Sequence, residues 1–271
     1  MLRANKLLVS LGAARSRVAA DAILLNKRVT YLGEVVHPGM RLSPASQLFL
    51  DGQPLPPLKE DLSPLYIAFH KPPGYLTSWS EKDRRPSLLD ALRHRGGPVP
   101  PHLSRLMHAG RLDFASEGLL LLSTDGYFCQ RVCHPKFDTK KRYVVGAVAT
   151  GGLKSVTHLL QHLETGVTLS CDPRDSESRS LYETRPARAL EARELSPSEA
   201  ALYTWRGVPQ ATKYFFDVVI NEGRKRVVRR MFGALGWKVQ TLVRTEVGGV
   251  KLGGLEQGGW RELTHKEVAL F

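Results

Sequence analysis

Four consecutive leucines, Leu119 to Leu122, stand between Gly118 on one side and Ser123-Thr124-Asp125-Gly126 on the other. The run is too short for an ordinary helix and has no polar residue to alternate with. It reads as a strand buried on both faces. Such a strand needs paired neighbours and a covering layer on each side, so a layered domain must form around it. Residues 65–69, 142–145 and 214–220 supply further strand patterns, and 239–252 reads as strands around Gly248-Gly249. Short helices are expected near residues 87–93, over 126–133 and over 224–236. Strands and helices do not alternate regularly, so the spacing predicts an α+β fold. Its sheet should be mixed and mostly antiparallel rather than doubly wound. No internal repeat is present.

Residues 1–52 form a separate pattern. Two helices are expected over 3–11 and 16–25, joined at Gly12, then strands at 29–31 and 34–36 around Leu32-Gly33, and a third strand at 48–50 closed by Asp51-Gly52. Gln53-Pro54-Leu55-Pro56-Pro57-Leu58 is Pro-rich, stiff and extended, as a linker would be. The expected division is therefore a small domain over 1–58 and a larger one over 59–271. Arg3, Lys6, Arg15 and Arg17 precede the first acid, Asp21, a composition shared with organelle transit peptides. Leu7, Leu8, Leu11, Val18, Ile23 and Leu24 nevertheless keep helical spacing into the next segment, so the stretch is read as folded helix. Residues 171–184 are polar and read as an exposed hairpin or loop.

Charge narrows the partner. The 271 residues hold 39 Lys and Arg against 26 Asp and Glu, a net of +13. Such a surplus favours a polyanion, nucleic acid ahead of an acidic membrane surface. No apolar run approaches a membrane span of ~20 residues. Three cysteines are too few and too odd for a disulfide scaffold. Cys129, Cys133 and His134 lie close in sequence, but no second pair completes four ligands and Cys171 is isolated, so no metal site is assigned.

Two segments carry chemistry. In Gly110-Arg111-Leu112-Asp113-Phe114-Ala115-Ser116-Glu117-Gly118 a carboxylate sits in a Gly-bounded loop directly before the core strand. Rigidly mounted loops are where catalytic groups sit, although an aspartate there can equally cap a turn. In Glu222-Gly223-Arg224-Lys225-Arg226-Val227-Val228-Arg229-Arg230-Met231-Phe232 five bases face one acid, beside an apolar helix face. The bases suit phosphates, or form a solvated face.

Taken together, these segments resemble the RsuA-type (RluB/RluF-like) family of pseudouridine synthases, with an N-terminal S4-like RNA-binding domain. The resemblance runs through His70-Lys71-Pro72-Pro73-Gly74, the Gly110–Gly126 element, His134-Pro135 with Lys141-Arg142-Tyr143, and Glu222 to Met231. Leu242-Val243-Arg244, Gly248 and Arg261-Glu262-Leu263-Thr264 follow in order. Val227 stands where the family usually has Gln, and Ser116-Glu117 where Thr-Ser or Thr-Thr is common. The S4-like match rests on Leu8, Gly12, Ser16-Arg17, Arg28-Val29, Gly33 and Asp51-Gly52, with Asn26-Lys27 replacing a common Gly.

The resemblance implies site-specific isomerisation of uridine to pseudouridine in ribosomal RNA, the base flipped into a cleft. It makes Asp113 the catalytic aspartate, Tyr143 the aromatic residue stacking on the target base, and Arg229 the basic residue pairing with the aspartate. Lys6, Arg15, Arg17, Lys27 and Arg28 would face RNA from the small domain, and Arg111, Arg224, Lys225, Arg226 and Arg230 from the large one. The reaction transfers no electrons or external groups, so it needs no cofactor and no metal. The implied partner is ribosomal RNA or a ribosomal precursor particle. No membrane or required protein partner is implied, and the chain is expected to act as a monomer. A bacterial protein of this kind would be cytoplasmic, with an organellar location as the other option. Two rivals stand beside this reading. One is a noncatalytic RNA-binding ribosome-assembly factor on the same fold. The other is a DNA-binding protein using 224–232 as a recognition helix, which leaves the Asp113 loop unexplained.

Overall fold

A computed structural model of the chain describes residues 1–14, 16–57, 63–79, 83–93, 100, 103–150, 155–169, 186–202, 212 and 214–271. Arg15 and the 171–184 segment lie outside the described residues. Close contacts divide the chain into two units, Met1–Leu65 with Pro100–Leu106, and Tyr66–Val99 with Met107–Phe271. The expected boundary at residue 58 falls in 58–62, which lie outside the described residues. The Pro-rich stretch is not all linker, because Gln53–Pro54 pairs as a strand with Phe49–Leu50. Among the described residues, no helix is long and apolar enough to cross a membrane.

In the first unit, Ser16 caps the Arg17–Leu25 helix by accepting from the Ala19 amide at 3.1 Å. The helix ends in a Schellman arrangement: Lys27 N–H donates to Leu24 and Arg28 N–H to Ile23. Lys27 therefore adopts a left-handed φ of 57°, where glycine would be unstrained. Ala4, Leu7 and Leu8 of the Ala4–Ser10 helix bury with Ala20 and Leu24 against Val29, Val36, Leu42 and Leu48. The small antiparallel sheet runs Glu34–Val35, Val29–Tyr31, Phe49–Leu50, Gln53–Pro54.

Among the described residues, the second unit is built on one nine-stranded sheet. Its main path runs Glu191–Glu194, Tyr214–Ile220, Lys141–Ala149, Trp237–Val247, Glu117–Ser123, Tyr66–Lys71, Trp260–Glu262. Met107–Ala109 also pairs with the Glu117–Ser123 strand, and Val250–Lys251 folds back on Trp237–Val247. Every pairing is antiparallel except that of Glu117–Ser123 with Trp237–Val247. The sheet is thus mixed and mostly antiparallel, and all four leucines of the central run are fully buried. At the parallel contact Gly118 (φ 111°) opposes Arg244, and a Cβ on Gly118 would stand 2.3 Å from the Arg244 carbonyl oxygen. Only glycine allows the two strands to approach there.

The Gly126–Cys133 helix, capped by Asp125 through the Tyr127 amide, packs Phe128, Cys129 and Val132 into the core. The basic helix is shorter than its sequence pattern. Arg226 takes a left-handed φ of 53°, so the helix spans Val227–Ala234, and Val227, Val228, Met231 and Phe232 form its buried face. Glu222 to Arg226 is a loop ahead of it. The Val156–Thr165 helix, the Glu191–Glu194 edge strand and the terminal Trp260–Glu262 strand were not anticipated from the sequence.

Candidate active site

The Asp113 loop joins the Met107–Ala109 strand to the buried Glu117–Ser123 strand, so both its ends are fixed in the sheet. Gly110 (φ 85°) and Gly118 (φ 111°) turn the chain at either end. Between them the loop is held by its backbone. Gly74 N–H donates to the Phe114 carbonyl at 2.7 Å. Thr77 Oγ1 donates to the Leu112 carbonyl at 2.7 Å and accepts from the Leu112 amide at 3.1 Å.

Three cations complete this hold. Lys71 ends its strand fully buried, and its Nζ donates to Pro72 O at 2.9 Å, Ser116 O at 2.9 Å and Asp113 O at 3.4 Å. Arg229 donates to Ala115 O at 2.9 Å and Val239 O at 3.0 Å, with Ser116 Oγ at 3.5 Å. Arg244, only 2% exposed, donates to Leu119 O at 2.7 Å and Arg111 O at 3.3 Å. The loop backbone is clamped on several sides, so the Asp113 side chain is carried on a rigid mount. Below the loop, buried His70 donates from Nδ1 to Leu255 O at 2.6 Å and places Nε2 3.1 Å from Glu117 Oε1, which also accepts from Gln257 at 2.5 Å.

Burial and crowding of like charge shape the electrostatics. Burial, with repulsion from Arg244, pulls the Lys71 ammonium from its ordinary 10.5 down to about 7, against the attraction of Asp113 and Glu117. Lys141 is lowered for the same two reasons, burial first. Arg229 is lowered by burial and by Arg226, and Asp113 opposes that shift. Among the described residues, Arg229 Nε and Arg244 Nη2 are buried donors with no hydrogen-bond partner. The positive groups around the loop are thus incompletely compensated, as a site for a polyanion requires.

The loop opens into a cleft of about 1340 Å³. Asp113 and Tyr143 both line it, as do Arg111, Arg224, Lys225 and Arg226. Tyr143 is 7% exposed and projects from the Lys141–Ala149 strand. Val227, at the position where Gln is usual, is a buried wall of the same cleft and offers no hydrogen bond. The Arg224 guanidinium is bonded to Glu222 and so is partly neutralised. Arg230 is half-buried on the helix and does not line the cleft. Arg229 differs from expectation. It makes no direct ion pair with Asp113 and instead holds the loop's backbone, acting on the carboxylate only as a nearby charge.

In the first unit Lys6, Arg17 and Lys27 are exposed. Arg28 is tied to Asp51, with Nη2 to Oδ2 at 2.5 Å, so its charge is compensated. Among the described residues no group of three His, Cys, Asp or Glu side chains could hold a metal ion. The sequence reading did not give Lys71, Thr77 or Arg244 a role. Lys71 and Arg244 did stand in the quoted motifs, and a cation inside an otherwise apolar strand was the available signal.

Comparison with known proteins places the chain in a family. A family model described as RNA pseudouridylate synthase matches residues 65–234. An RNA pseudouridine synthase of Aquifex aeolicus is 31% identical over 259 residues, 93% of this chain and 89% of that protein. Ribosomal large subunit pseudouridine synthase B of Bacillus subtilis is 30% identical over 271 residues, 99% of this chain and 94% of its own length. A crystal structure described as a pseudouridylate synthase covers 100% of both chains at 25% identity, with a TM-score of 0.60. A clamped aspartate loop in a basic cleft, inside a family match spanning most of the second unit, leads to one conclusion: this chain belongs to the RNA pseudouridylate synthase family.

Proposed function

We propose that this protein converts one uridine to pseudouridine in large-subunit ribosomal RNA, with Asp113 as the catalytic carboxylate. The observation that carries the reading is the placement of Asp113 and Tyr143 in one basic cleft, on a loop whose backbone is held by Lys71, Arg229 and Arg244. The ribosomal target rests on the relatives named for it in Bacillus subtilis and Yersinia pestis.

The chemistry follows from the substrate. The uridine leaves its stack and enters the cleft, where Tyr143 offers an aromatic face in place of the lost stacking. The N1–C1′ bond breaks, and the Asp113 carboxylate bonds to C1′ or stabilises its positive charge. The freed uracil turns and C5 bonds to C1′, releasing the Asp113 carboxylate from it. The proton on C5 leaves and one is gained at N1, so the product is an isomer and no cofactor is required. Arg111, Lys225 and Arg226 hold phosphates around the flipped nucleotide, beside Arg224 in its pair with Glu222. Arg229 acts on Asp113 by fixing its backbone and by its charge.

The first unit serves as an S4-like RNA-binding module. Its support is the two-helix, small-sheet build with Lys6, Arg17 and Lys27 exposed. Such a surface suits structured RNA, which is read largely by shape and phosphate. The protein acts as a monomer on ribosomal RNA or a precursor particle. Membership of an enzyme family favours this over a noncatalytic assembly factor. The test is to incubate the purified protein with deproteinised ribosomal RNAs lacking modification and to map pseudouridine. One new site in the large-subunit RNA is expected; no new site in either RNA would refute the proposal.

A further inference from the structure

We propose that Phe114 and Arg85 form a stacking subsite for an unpaired nucleobase adjacent to the uridine that enters the cleft. This rests on the reading of the protein as an RNA pseudouridine synthase and adds a contact that reading does not use.

Phe114 directly follows Asp113 and is 37% exposed. Among the described residues, it is the only exposed large hydrophobic that lines the cleft. One exposed aromatic is ordinary on a protein surface; Phe114 is set apart by its place in a basic cleft, directly beside Asp113. Its backbone is held, because its own carbonyl accepts from Gly74 N–H at 2.7 Å.

The guanidinium of Arg85 lies over the ring, 5.6 Å from its centroid. Arg85 is aligned by a two-point contact with Asp83, Nε to Oδ1 at 3.0 Å and Nη2 to Oδ2 at 2.7 Å. The backbone around Arg85 is joined to the Asp113 loop through residues 74–78. Leu76 N–H donates to Pro86 O at 2.8 Å, Leu88 N–H donates to Ser78 O at 3.0 Å, and Thr77 holds Leu112. Ring and guanidinium are therefore mounted on one hydrogen-bonded frame that also carries Asp113.

The chemistry of this pair fits a nucleobase rather than a phosphate. Asp83 already compensates the charge of Arg85. What remains is a flat apolar face beside a planar cation, to which every base can offer a π-face. Depth separates the two aromatics. Tyr143, 7% exposed, is placed for the inserted uracil, whereas Phe114 at the surface meets a base that stays outside.

The experiment uses full-length protein and an rRNA fragment centred on the uridine that wild-type protein modifies. Each nucleotide flanking that uridine is replaced in turn by an abasic residue. Dissociation constants are measured for wild-type, Phe114→Ala, Phe114→Leu and Phe114→Trp, with thermal unfolding to confirm the fold. The proposal expects Phe114→Ala to weaken binding about 5- to 150-fold. Trp should retain affinity and Leu should not restore it. One abasic position should weaken the wild-type by a similar factor and leave Phe114→Ala unchanged. The slope of log affinity against log salt should stay the same in Phe114→Ala, since no phosphate contact is lost. Binding of Phe114→Ala within about twofold of wild-type, equal losses on every abasic RNA, or full rescue by Leu would each overturn the subsite. If wild-type forms pseudouridine normally while these outcomes occur, the subsite alone is wrong. If wild-type forms none on any rRNA, the proposed function falls and the subsite with it.

Discussion

Lys71→Met tests the hold on the Asp113 loop through its pH dependence. The substitution keeps an unbranched stem but removes the ammonium that three carbonyl oxygens share. Each carbonyl left without a donor costs about 1–3 kcal/mol. Against that stands the penalty of burying the charge. The folded protein lowers Lys71 from 10.5 to about 7, so it disfavours the ammonium by roughly 5 kcal/mol relative to the unfolded chain. Below about pH 7 both states hold the proton and this penalty applies in full. As pH rises from about 7 towards 10.5, the folded state gives up a proton that the unfolded chain keeps. Wild-type stability from this group therefore rises with pH, by about 1.4 kcal/mol per unit. The Met variant lacks that gain. The difference between the two proteins should thus widen in favour of wild-type by about 3 kcal/mol between pH 7 and 9.5. Taking the difference cancels the other titrating groups. Urea unfolding can be followed by tryptophan fluorescence, because Trp79, Trp237 and Trp260 belong to the second unit. A difference that stays flat over that range would refute a buried, proton-shedding Lys71.

Arg229→Met should lower the saturated single-turnover rate by about 100-fold with RNA affinity little changed, since small misplacements of a reacting group have effects of that size. Arg229→Lys should recover part of the rate; a normal plateau with weaker, less salt-sensitive binding would make Arg229 an RNA contact only. Lys6→Gln with Arg17→Gln should weaken binding and reduce the salt slope by roughly 1.4–1.8, as two lost phosphate contacts would. An unchanged slope would remove the first unit's exposed bases from the RNA interface.

Local patterns made part of this structure legible. The leucine run could only be a buried strand, and Gly110 and Gly118 marked the loop before it. The buried face of the Val227–Ala234 helix followed from Val227, Val228, Met231 and Phe232. What the sequence could not display depends on distant partners. Lys71 is buried because its strand pairs with Gly118, and the carbonyls that satisfy it lie up to 45 residues away. Arg229 was expected to meet the Asp113 side chain, but backbone carbonyls took its hydrogen bonds, one of them 114 residues away. The Glu191–Glu194 strand is nearly all polar, and only its pairing with Tyr214–Ile220 makes it a strand. The Val156–Thr165 helix is different. Val156, Leu159, Leu160 and Leu163 do show helical spacing, and Ser155 is a good cap, so the sequence itself carries that signal.

The central claim is that the Asp113 carboxylate carries out the isomerisation from a loop built independently of that carboxylate. Its backbone is held by Lys71, Thr77, Arg229 and Arg244, so Asp113→Asn should leave loop and cleft intact. The direct measurement is pseudouridine formation by Asp113→Asn on the rRNA fragment that wild-type modifies, at saturating enzyme, alongside its dissociation constant. The account predicts no product with affinity close to wild-type, because the amide keeps the shape but cannot bond to C1′ or balance its charge. Substantial product from the Asn variant would contradict it and remove Asp113 from catalysis.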